Sequence, residues 1–156
     1  MSGTNKSVLF VCLGNICRSP IAEAVLLHLL KERGQSDKWR VDSAAIGPWH
    51  IGKPPERRAT KTLQDNNVEY SHKARQITND DFNTFDYIFG MDEENMSDLK
   101  RLSPKGSTAC VQLLGSYDPE GDIIIEDPYY QKGDKGFIKC YQQCVRCCKA
   151  FLDSLK

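Results

Sequence analysis

The chain has 156 residues and a mass of 17.7 kDa, which suits one domain and leaves little room for two. Its 21 basic and 21 acidic side chains cancel, and this balance argues against a protein that binds nucleic acid or an anionic membrane surface. The charge is unevenly spread, since residues 1–75 carry a net +5 and residues 76–156 a net −5. A basic first half is compatible with an anion site, although a solvated basic face is the simpler explanation.

The sequence predicts neither a membrane span nor a secretory leader. Its longest nearly apolar stretch, residues 21–30, contains Glu23 and His28 and is about half as long as a spanning helix. No charged-then-apolar segment opens the chain, and its seven cysteines are an odd number. We therefore expect a cytoplasmic protein with reduced thiols.

Strands and helices alternate along the chain. Residues 7–11 form a short apolar run typical of a buried parallel strand. After a tight loop, Ser19 is predicted to cap a helix with Pro20 in its first turn, and Gly34 to end that helix. The later predicted elements are a strand over 39–44, a helix from Pro54 to about Asn66, a strand over 87–90, a helix start at 92–94, a strand over 110–114, a turn-rich segment over 115–136 and a helix over about 137–155.

This alternation predicts a single domain over residues 1–156. Its expected architecture is a mostly parallel sheet with helices on both faces, which is a three-layer α/β/α fold. Ligands in such folds bind at the carboxyl ends of the strands, so the loops there are the first place to look for a site.

The last predicted helix is rich in cysteine. Residues at three- and four-residue spacing give it one apolar face: Phe137, Tyr141, Cys144, Cys148, Phe151 and Leu155. This pattern favours core packing, although the spacing of Cys144 and Cys147 by itself resembles a zinc pair. Cys110, in a predicted strand, is also expected in the core.

The loop after the first strand, Val-Cys-Leu-Gly-Asn-Ile-Cys-Arg-Ser-Pro, is the most informative segment. It puts Cys12 at the carboxyl end of the strand and Arg18 at the start of the helix, where unpaired N–H groups and a partial positive charge lie. Gly14 is expected to allow a backbone conformation closed to other residues, and Asn15 tolerates the left-handed region. The loop therefore predicts a phosphate site in which the planar fork of Arg18 binds two oxygens.

The same positive field favours a thiolate at Cys12, which could attack phosphorus in line. The alternative is a tight strand–helix turn with two packed cysteines. Phosphoryl transfer also needs a proton donor for the leaving oxygen, and Asp127 within Asp-Pro-Tyr-Tyr is the candidate, although Asp-Pro alone is more often an ordinary turn. Tyr129 and Tyr130, together with Trp49, could wall an aromatic slot.

These motifs resemble those of the low molecular weight protein tyrosine phosphatases, which are also called low molecular weight acid phosphatases. The Cys12 loop and five further motifs match in order over nearly the whole chain: residues 41–44, 71–72, 91–92, 114–119 and 127–130. The resemblance implies a four-stranded parallel sheet with the phosphate-binding loop after the first strand, and hydrolysis of phosphotyrosine and small aryl phosphates through a phosphocysteine intermediate. It implies Cys12 as nucleophile, Arg18 as phosphate binder and Asp127 as general acid and base.

The resemblance also implies the residues around the nucleophile. The phosphate-binding loop would consist of Leu13, Gly14, Asn15, Ile16, Cys17, Arg18 and Ser19. A hydrogen-bond network of Asn15, Ser19, Ser43 and His72 would hold this loop, and Asp92 would brace Arg18. No cofactor or metal is expected.

Cys17 is predicted either to fill space beneath the loop or, as the resemblance supports, to form a reversible disulfide with oxidised Cys12. The expected partners are phosphotyrosine-containing proteins, with phosphate or other oxyanions in the site, and neither nucleic acid nor a membrane. A monomer or weak homodimer is expected, with Tyr129 and Tyr130 as candidate positions for self-association or phosphorylation.

Two other functions remain at this stage. An arsenate reductase also starts from a Cys-x5-Arg loop, but its disulfide relay needs further cysteines in a mobile segment, and residues 79–105 contain none. An inactive phosphotyrosine-binding module is expected to have lost Cys12 or Asp127, and both are present.

Overall fold

The computed structural model describes residues 6–155 as a three-layer α/β/α domain. Its strands are β1 (Lys6–Cys12), β2 (Trp39–Ala45), β3 (Tyr87–Gly90) and β4 (Cys110–Leu113), and its α-helices are α1 (Arg18–Glu32), α2 (Arg57–Asp65), α3 (Asp81–Thr84), α4 (Glu93–Leu102) and α5 (Lys135–Ser154). Two 3₁₀ helices cover Ser36–Lys38 and Leu114–Tyr117.

The four strands form one parallel sheet in the order β2-β1-β3-β4. Successive side chains of the central strand β1 serve opposite layers, as the two-residue period of a strand requires. Val8 and Phe10 belong to the core shared with α1, α2 and α5, whereas Leu9 and Val11 belong to the core shared with α3 and α4. The predicted fold class is therefore confirmed.

The cysteines of α5 lie in the larger core. Cys140, Cys144, Cys147 and Cys148 are all buried there, and all seven cysteines of the chain are free thiols. Core packing is thus confirmed for this group. The prediction for Cys110 is wrong, because this residue begins the edge strand β4 and is exposed.

The strands were located from sequence to within one residue at each end, while several loops and caps differ. Helix α1 starts at Arg18 with Cys17 at the N-cap, so Ser19 does not cap it and lies in its first turn. Helix α2 starts at Arg57, two residues after the Pro54-Pro55 pair, with Glu56 as a side-chain cap. The short helix α3 was not predicted, because four residues show no period.

Segments far apart in sequence are fixed at the carboxyl edge of the sheet by backbone hydrogen bonds. Ala45 exchanges hydrogen bonds with Arg75 and Ile77, which brings the segment around His72 beside the end of β2. Ile125 N–H donates to Met91 O just after β3, which draws the long segment before α5 over the sheet. No helix among residues 6–155 is both long and apolar enough to cross a membrane.

Candidate active site

A cleft of about 230 Å³ opens at the carboxyl ends of the central strands. Its floor is the loop between β1 and α1, and its rim comes from two separate segments. The lining residues are Cys12, Leu13, Gly14, Ile16, Cys17, Trp49, His50, Asp127, Tyr129 and Tyr130. The fold thus brings together the thiol, the acidic residue and the three aromatic side chains that were predicted from sequence.

The loop on the cleft floor is bent at Asn15, which is fully buried and adopts the left-handed conformation with φ of 58°. Gly14 does not have a positive φ, so the prediction that its backbone needs special freedom is wrong. Gly14 instead leaves room for the His50 ring: a Cβ there would lie 2.8 Å from Cδ2 of His50, so the ring would have to move.

The Cys12 thiol is 3% exposed and receives two contacts from the first turn of α1. The Ser19 hydroxyl lies 3.0 Å from Sγ, and Ser19 N–H points to Sγ at 3.5 Å. The Asn15 amide donates to Ser19 Oγ at 2.8 Å, so the serine hydrogen is free to donate to sulfur. This arrangement stabilises negative charge on Cys12.

A buried network holds Asn15 in place. Its amide also donates to Ser43 Oγ at 3.0 Å, and its Oδ1 lies 2.8 Å from His72 Nε2. Because an amide oxygen only accepts, His72 must carry its proton on Nε2 for this bond. Burial lowers the pKa of His72, which favours the neutral ring.

The network extends to two residues that sequence reasoning missed. Ser43 Oγ and Tyr70 Oη each donate to Glu23 Oε1 at 2.6 Å. Burial raises the pKa of Glu23 to about 7, although both hydrogen bonds oppose that shift. The sequence did contain a sign of this network, since Glu23 stands within the apolar stretch 21–30 and a buried carboxyl requires hydrogen-bond partners.

Arg18 is 2% exposed and reaches under the cleft from the first position of α1. Its Nη1 donates to Asp92 Oδ2 at 2.5 Å and to Ile125 O at 3.0 Å, so Asp92 does brace it. Burial alone would lower its pKa, but negative charge on Cys12 and Asp92 outweighs burial and raises it. Nε of Arg18 is buried and has no hydrogen-bond partner within residues 6–155, which leaves that donor for an oxyanion.

Asp127 lies above Arg18 in the segment that Ile125 anchors. Its Oδ2 is 3.6 Å from Arg18 Nη2, and its Oδ1 accepts from Tyr129 N–H at 3.1 Å. The side chain is 27% exposed, so it faces the cleft and can exchange protons with solvent.

Aromatic side chains form the mouth of the cleft. Trp49 and Tyr130 are 61% and 81% exposed, and Tyr129 packs edge-on against Tyr130 with ring centroids 5.0 Å apart. His50, which sequence analysis did not single out, has its ring centroid 6.2 Å from that of Tyr129 and links this wall to the loop.

Cys17 is buried and lines the same cleft as Cys12. Burial raises the pKa of its thiol, and the nearby charges of Cys12 and Asp127 act in the same direction. Cys17 therefore stays a protonated thiol.

One cluster within the described residues has the composition of a metal site. Ligand atoms of Glu23, Asp42 and His72 lie within 4.8 Å of one another. Glu23 already accepts from Ser43, and Asp42 forms an ion pair with Arg75 at 3.0 Å, so these carboxylates are engaged in holding the loop network.

Comparisons with known proteins show which family this chain resembles in sequence and in structure. The family model described as low molecular weight phosphotyrosine protein phosphatase matches residues 7–156. A human protein of that name is 57% identical over 150 residues, 95% of this chain and 94% of its own. The structure of Primo-1 superposes with a TM-score of 0.93 at 52% identity, covering 97% of this chain and 99% of its own. The structure named DARP, drosophila arginine phosphatase, superposes with a TM-score of 0.91 at 42% identity, covering 96% and 97%.

Proposed function

The chain belongs to the low molecular weight phosphotyrosine protein phosphatase family, a family of hydrolases, and from this membership we propose that it hydrolyses phosphotyrosine in proteins and small aryl phosphates through a phosphocysteine intermediate. The observation that supports the mechanism best is that Cys12 and Asp127 line one cleft, while the buried Arg18 guanidinium lies 3.6 Å from the Asp127 carboxylate.

In the first step, Cys12 Sγ attacks phosphorus and the bond from phosphorus to the phenolic oxygen breaks. The Arg18 guanidinium and the N–H groups at the start of α1 bind the equatorial oxygens, where charge is held in the transition state. Arg18 is suited to this role because Asp92 and Ile125 fix its fork while Nε stays available.

Asp127 protonates the phenolic oxygen as it leaves. In the second step the same carboxylate takes a proton from the water that attacks the phosphocysteine, and the Cys12 thiolate departs as inorganic phosphate forms. The contacts from Ser19 to Sγ stabilise that departing thiolate. Neither step needs a metal or a cofactor, because Asp127 and water supply and accept the protons.

We propose that the aromatic mouth selects phosphotyrosine over phosphoserine. Trp49, Tyr129 and Tyr130 can contact both faces of a phenyl ring whose phosphate reaches Cys12. A phosphoserine is too short to place its phosphate on the floor of the cleft while its backbone stays outside. Since the similar structure DARP is named an arginine phosphatase, phosphoarginine is the second substrate class to compare.

The decisive assay measures phosphate release from matched peptides that contain phosphotyrosine, phosphoserine or phosphoarginine, without metal or reductant. We expect turnover of the phosphotyrosine peptide only, and none with Cys12→Ser, which should still bind phosphate. Faster turnover of phosphoarginine would reassign the substrate, and turnover by Cys12→Ser above about a thousandth of wild type would refute the nucleophile. No phosphate release from any peptide would favour a binding module.

We also propose that Cys12 and Cys17 form a redox switch. A hydroperoxide converts the Cys12 thiolate to a sulfenic acid, and the Cys17 thiol then forms the disulfide as water leaves. Burial raises the pKa of Cys17 and keeps it protonated, so the oxidant should react at Cys12 first.

The switch predicts that peroxide inactivates the enzyme, phosphate protects it and a dithiol restores activity. Cys17→Ser should keep nearly full turnover but lose most of the recovery. Peptide mapping of oxidised protein without a Cys12–Cys17 link, or full recovery of Cys17→Ser, would contradict the switch.

A cytoplasmic location fits the same chemistry, because a reducing compartment keeps all seven cysteines as the free thiols seen here. The proposed partners are phosphotyrosine proteins and oxyanions, and the proposed state is a monomer or weak homodimer. Sedimentation at several protein concentrations tests that state.

A further inference from the structure

Arg58, on the first turn of α2, binds the backbone of the segment that follows Asp127. Its Nη1 donates to the carbonyls of Gln131 at 2.6 Å and Gly133 at 2.9 Å, and its Nη2 donates to the carbonyl of Tyr129 at 2.9 Å. Three carbonyls of one loop therefore converge on a single guanidinium.

The guanidinium is itself fixed on its other sides. Its plane lies over the Phe137 ring with 4.5 Å to the centroid, and Nε donates to the Glu56 carboxylate at 3.0 Å. Glu56 caps α2 by accepting from Arg58 N–H at 2.7 Å, and Glu56 N–H donates to Ile16 O in the phosphate-binding loop at 2.7 Å. Arg58 is thus anchored to the same loop that carries the nucleophile.

A short path joins this anchor to the proposed acid. Arg58 holds the carbonyl of Tyr129, and the N–H of the same residue donates to Asp127 Oδ1. The segment also packs closely on α5, because a Cβ at Gly136 would lie 3.0 Å from Cβ of Pro128. The position of the Asp127 carboxylate relative to Arg18 therefore depends on the backbone segment that Arg58 binds.

We propose that Arg58 is a positioning residue for catalysis, which fixes the segment 127–133 so that the Asp127 carboxyl stays within reach of the leaving oxygen. This inference rests on the proposed role of Asp127 as general acid. Arg58 is not among the residues that line the cleft, so its proposed effect acts through Asp127. A lysine cannot replace it, because one ammonium cannot direct separate donors to three carbonyls and a carboxylate.

The test compares Arg58→Gln and Arg58→Lys with Arg57→Gln, a matched control on the adjacent, exposed arginine. The readout is kcat/KM over a series of aryl phosphates with increasingly basic phenols. Since misplacing an acid costs more when the leaving oxygen needs its proton, we expect kcat/KM to fall about ten- to a hundredfold for the most basic phenol and much less for a nitrophenol. Arg57→Gln should match wild type, and Arg58→Lys should resemble Arg58→Gln.

A purely structural role would reduce all substrates equally and would also weaken inhibition by inorganic phosphate. We expect the phosphate inhibition constant to stay unchanged in Arg58→Gln, because Arg18 and its partners remain in place. In an Asp127→Asn background, Arg58→Gln should cost almost nothing further, since the acid is already absent. Equal losses across the series, or full additivity with Asp127→Asn, would overturn the proposal.

Hydrogen exchange separates this proposal from the proposed function. Amides of Asp127 and of residues 129–134 should exchange faster in Arg58→Gln than in Arg57→Gln, whatever reaction the enzyme catalyses. Unchanged exchange would refute the anchor itself. Faster exchange would support the anchor. If Asp127→Asn at the same time lost kcat/KM equally with all phenols, Asp127 would be refuted as the acid, and with it the catalytic role of Arg58.

Discussion

Replacing Ser19 with alanine should slow the breakdown of the phosphocysteine more than any other step. The Asn15 amide donates to Ser19 Oγ at 2.8 Å, so the hydroxyl hydrogen is directed at Cys12 Sγ, 3.0 Å away. When water displaces the thiolate from phosphorus, negative charge develops on Sγ and this hydrogen bond strengthens. Ser19→Ala removes it without changing the helix start, because Cys17 occupies the N-cap.

The expected size follows from the kind of bond that is lost. A hydrogen bond to a charged group contributes about 1.5–3 kcal/mol, which corresponds to a roughly tenfold to 150-fold fall in kcat. The loss should not be complete, since Ser19 N–H still points to Sγ at 3.5 Å.

Pre-steady-state release of the phenol separates the two steps. Ser19→Ala should release one equivalent in a fast burst and then turn over slowly, because the intermediate accumulates. Ser43→Ala is the control, since Ser43 contacts Asn15 but not the sulfur, and it should lose less. A Ser19→Ala enzyme that keeps most of its turnover, or a Ser43→Ala enzyme that loses as much, would refute this reasoning.

Three further outcomes are expected. Arg18→Lys should lower kcat/KM about 10²–10³-fold, because one ammonium cannot replace the fork that contacts Asp92 and Ile125 and that we propose to bind phosphate; near-normal kinetics would contradict that role. For Asp127→Asn, kcat/KM should fall more steeply as the phenol becomes more basic, and equal losses with all phenols would argue against an acid. Asp118 is hydrogen-bonded to Arg146 twice at 3.0 Å, which lowers the pKa of that carboxyl. Its contribution to stability is therefore present above the ordinary aspartate pKa of about 4 and is lost as pH falls through the lower folded value. Asp118→Asn should reduce the free energy of unfolding by about 1–3 kcal/mol at pH 7 and by progressively less as the pH falls below about 4, measured by urea titration.

Patterns that depend on neighbouring residues were readable from the sequence. The apolar run of β1, the loop from Cys12 to Arg18 and the apolar face of α5 each follow from local period and spacing, and the structure contains all three. The placement of Asp127 over Arg18 was predictable only through the family resemblance. A backbone hydrogen bond from Ile125 to Met91 fixes this placement, and backbone hydrogen bonds do not depend on which side chains are present.

Features that depend on tertiary contact were missed. Glu23 and Tyr70 are 47 residues apart and meet only because the segment around His72 runs beside β2. The glycine at position 14 was attributed to backbone freedom, whereas the ring of His50 from another loop occupies the space next to where its Cβ would lie. The role of Arg58 was also missed, because nothing in the neighbouring sequence shows that three backbone carbonyls surround its guanidinium.

The exposed thiol at the start of β4 offers a position for selective chemical labelling. Cys110 is paired in register with Tyr87 and, through it, with Val8, so it lies four residues of strand and two strand spacings from Cys12. At about 3.3 Å per residue and about 4.8 Å per strand, that separation is roughly 16 Å. A maleimide fluorophore added while inorganic phosphate shields the cleft should therefore label Cys110 and leave the buried thiol of Cys12 free. The labelled protein would then report substrate docking by changes in energy transfer from its two tryptophans, of which only Trp49 lines the cleft.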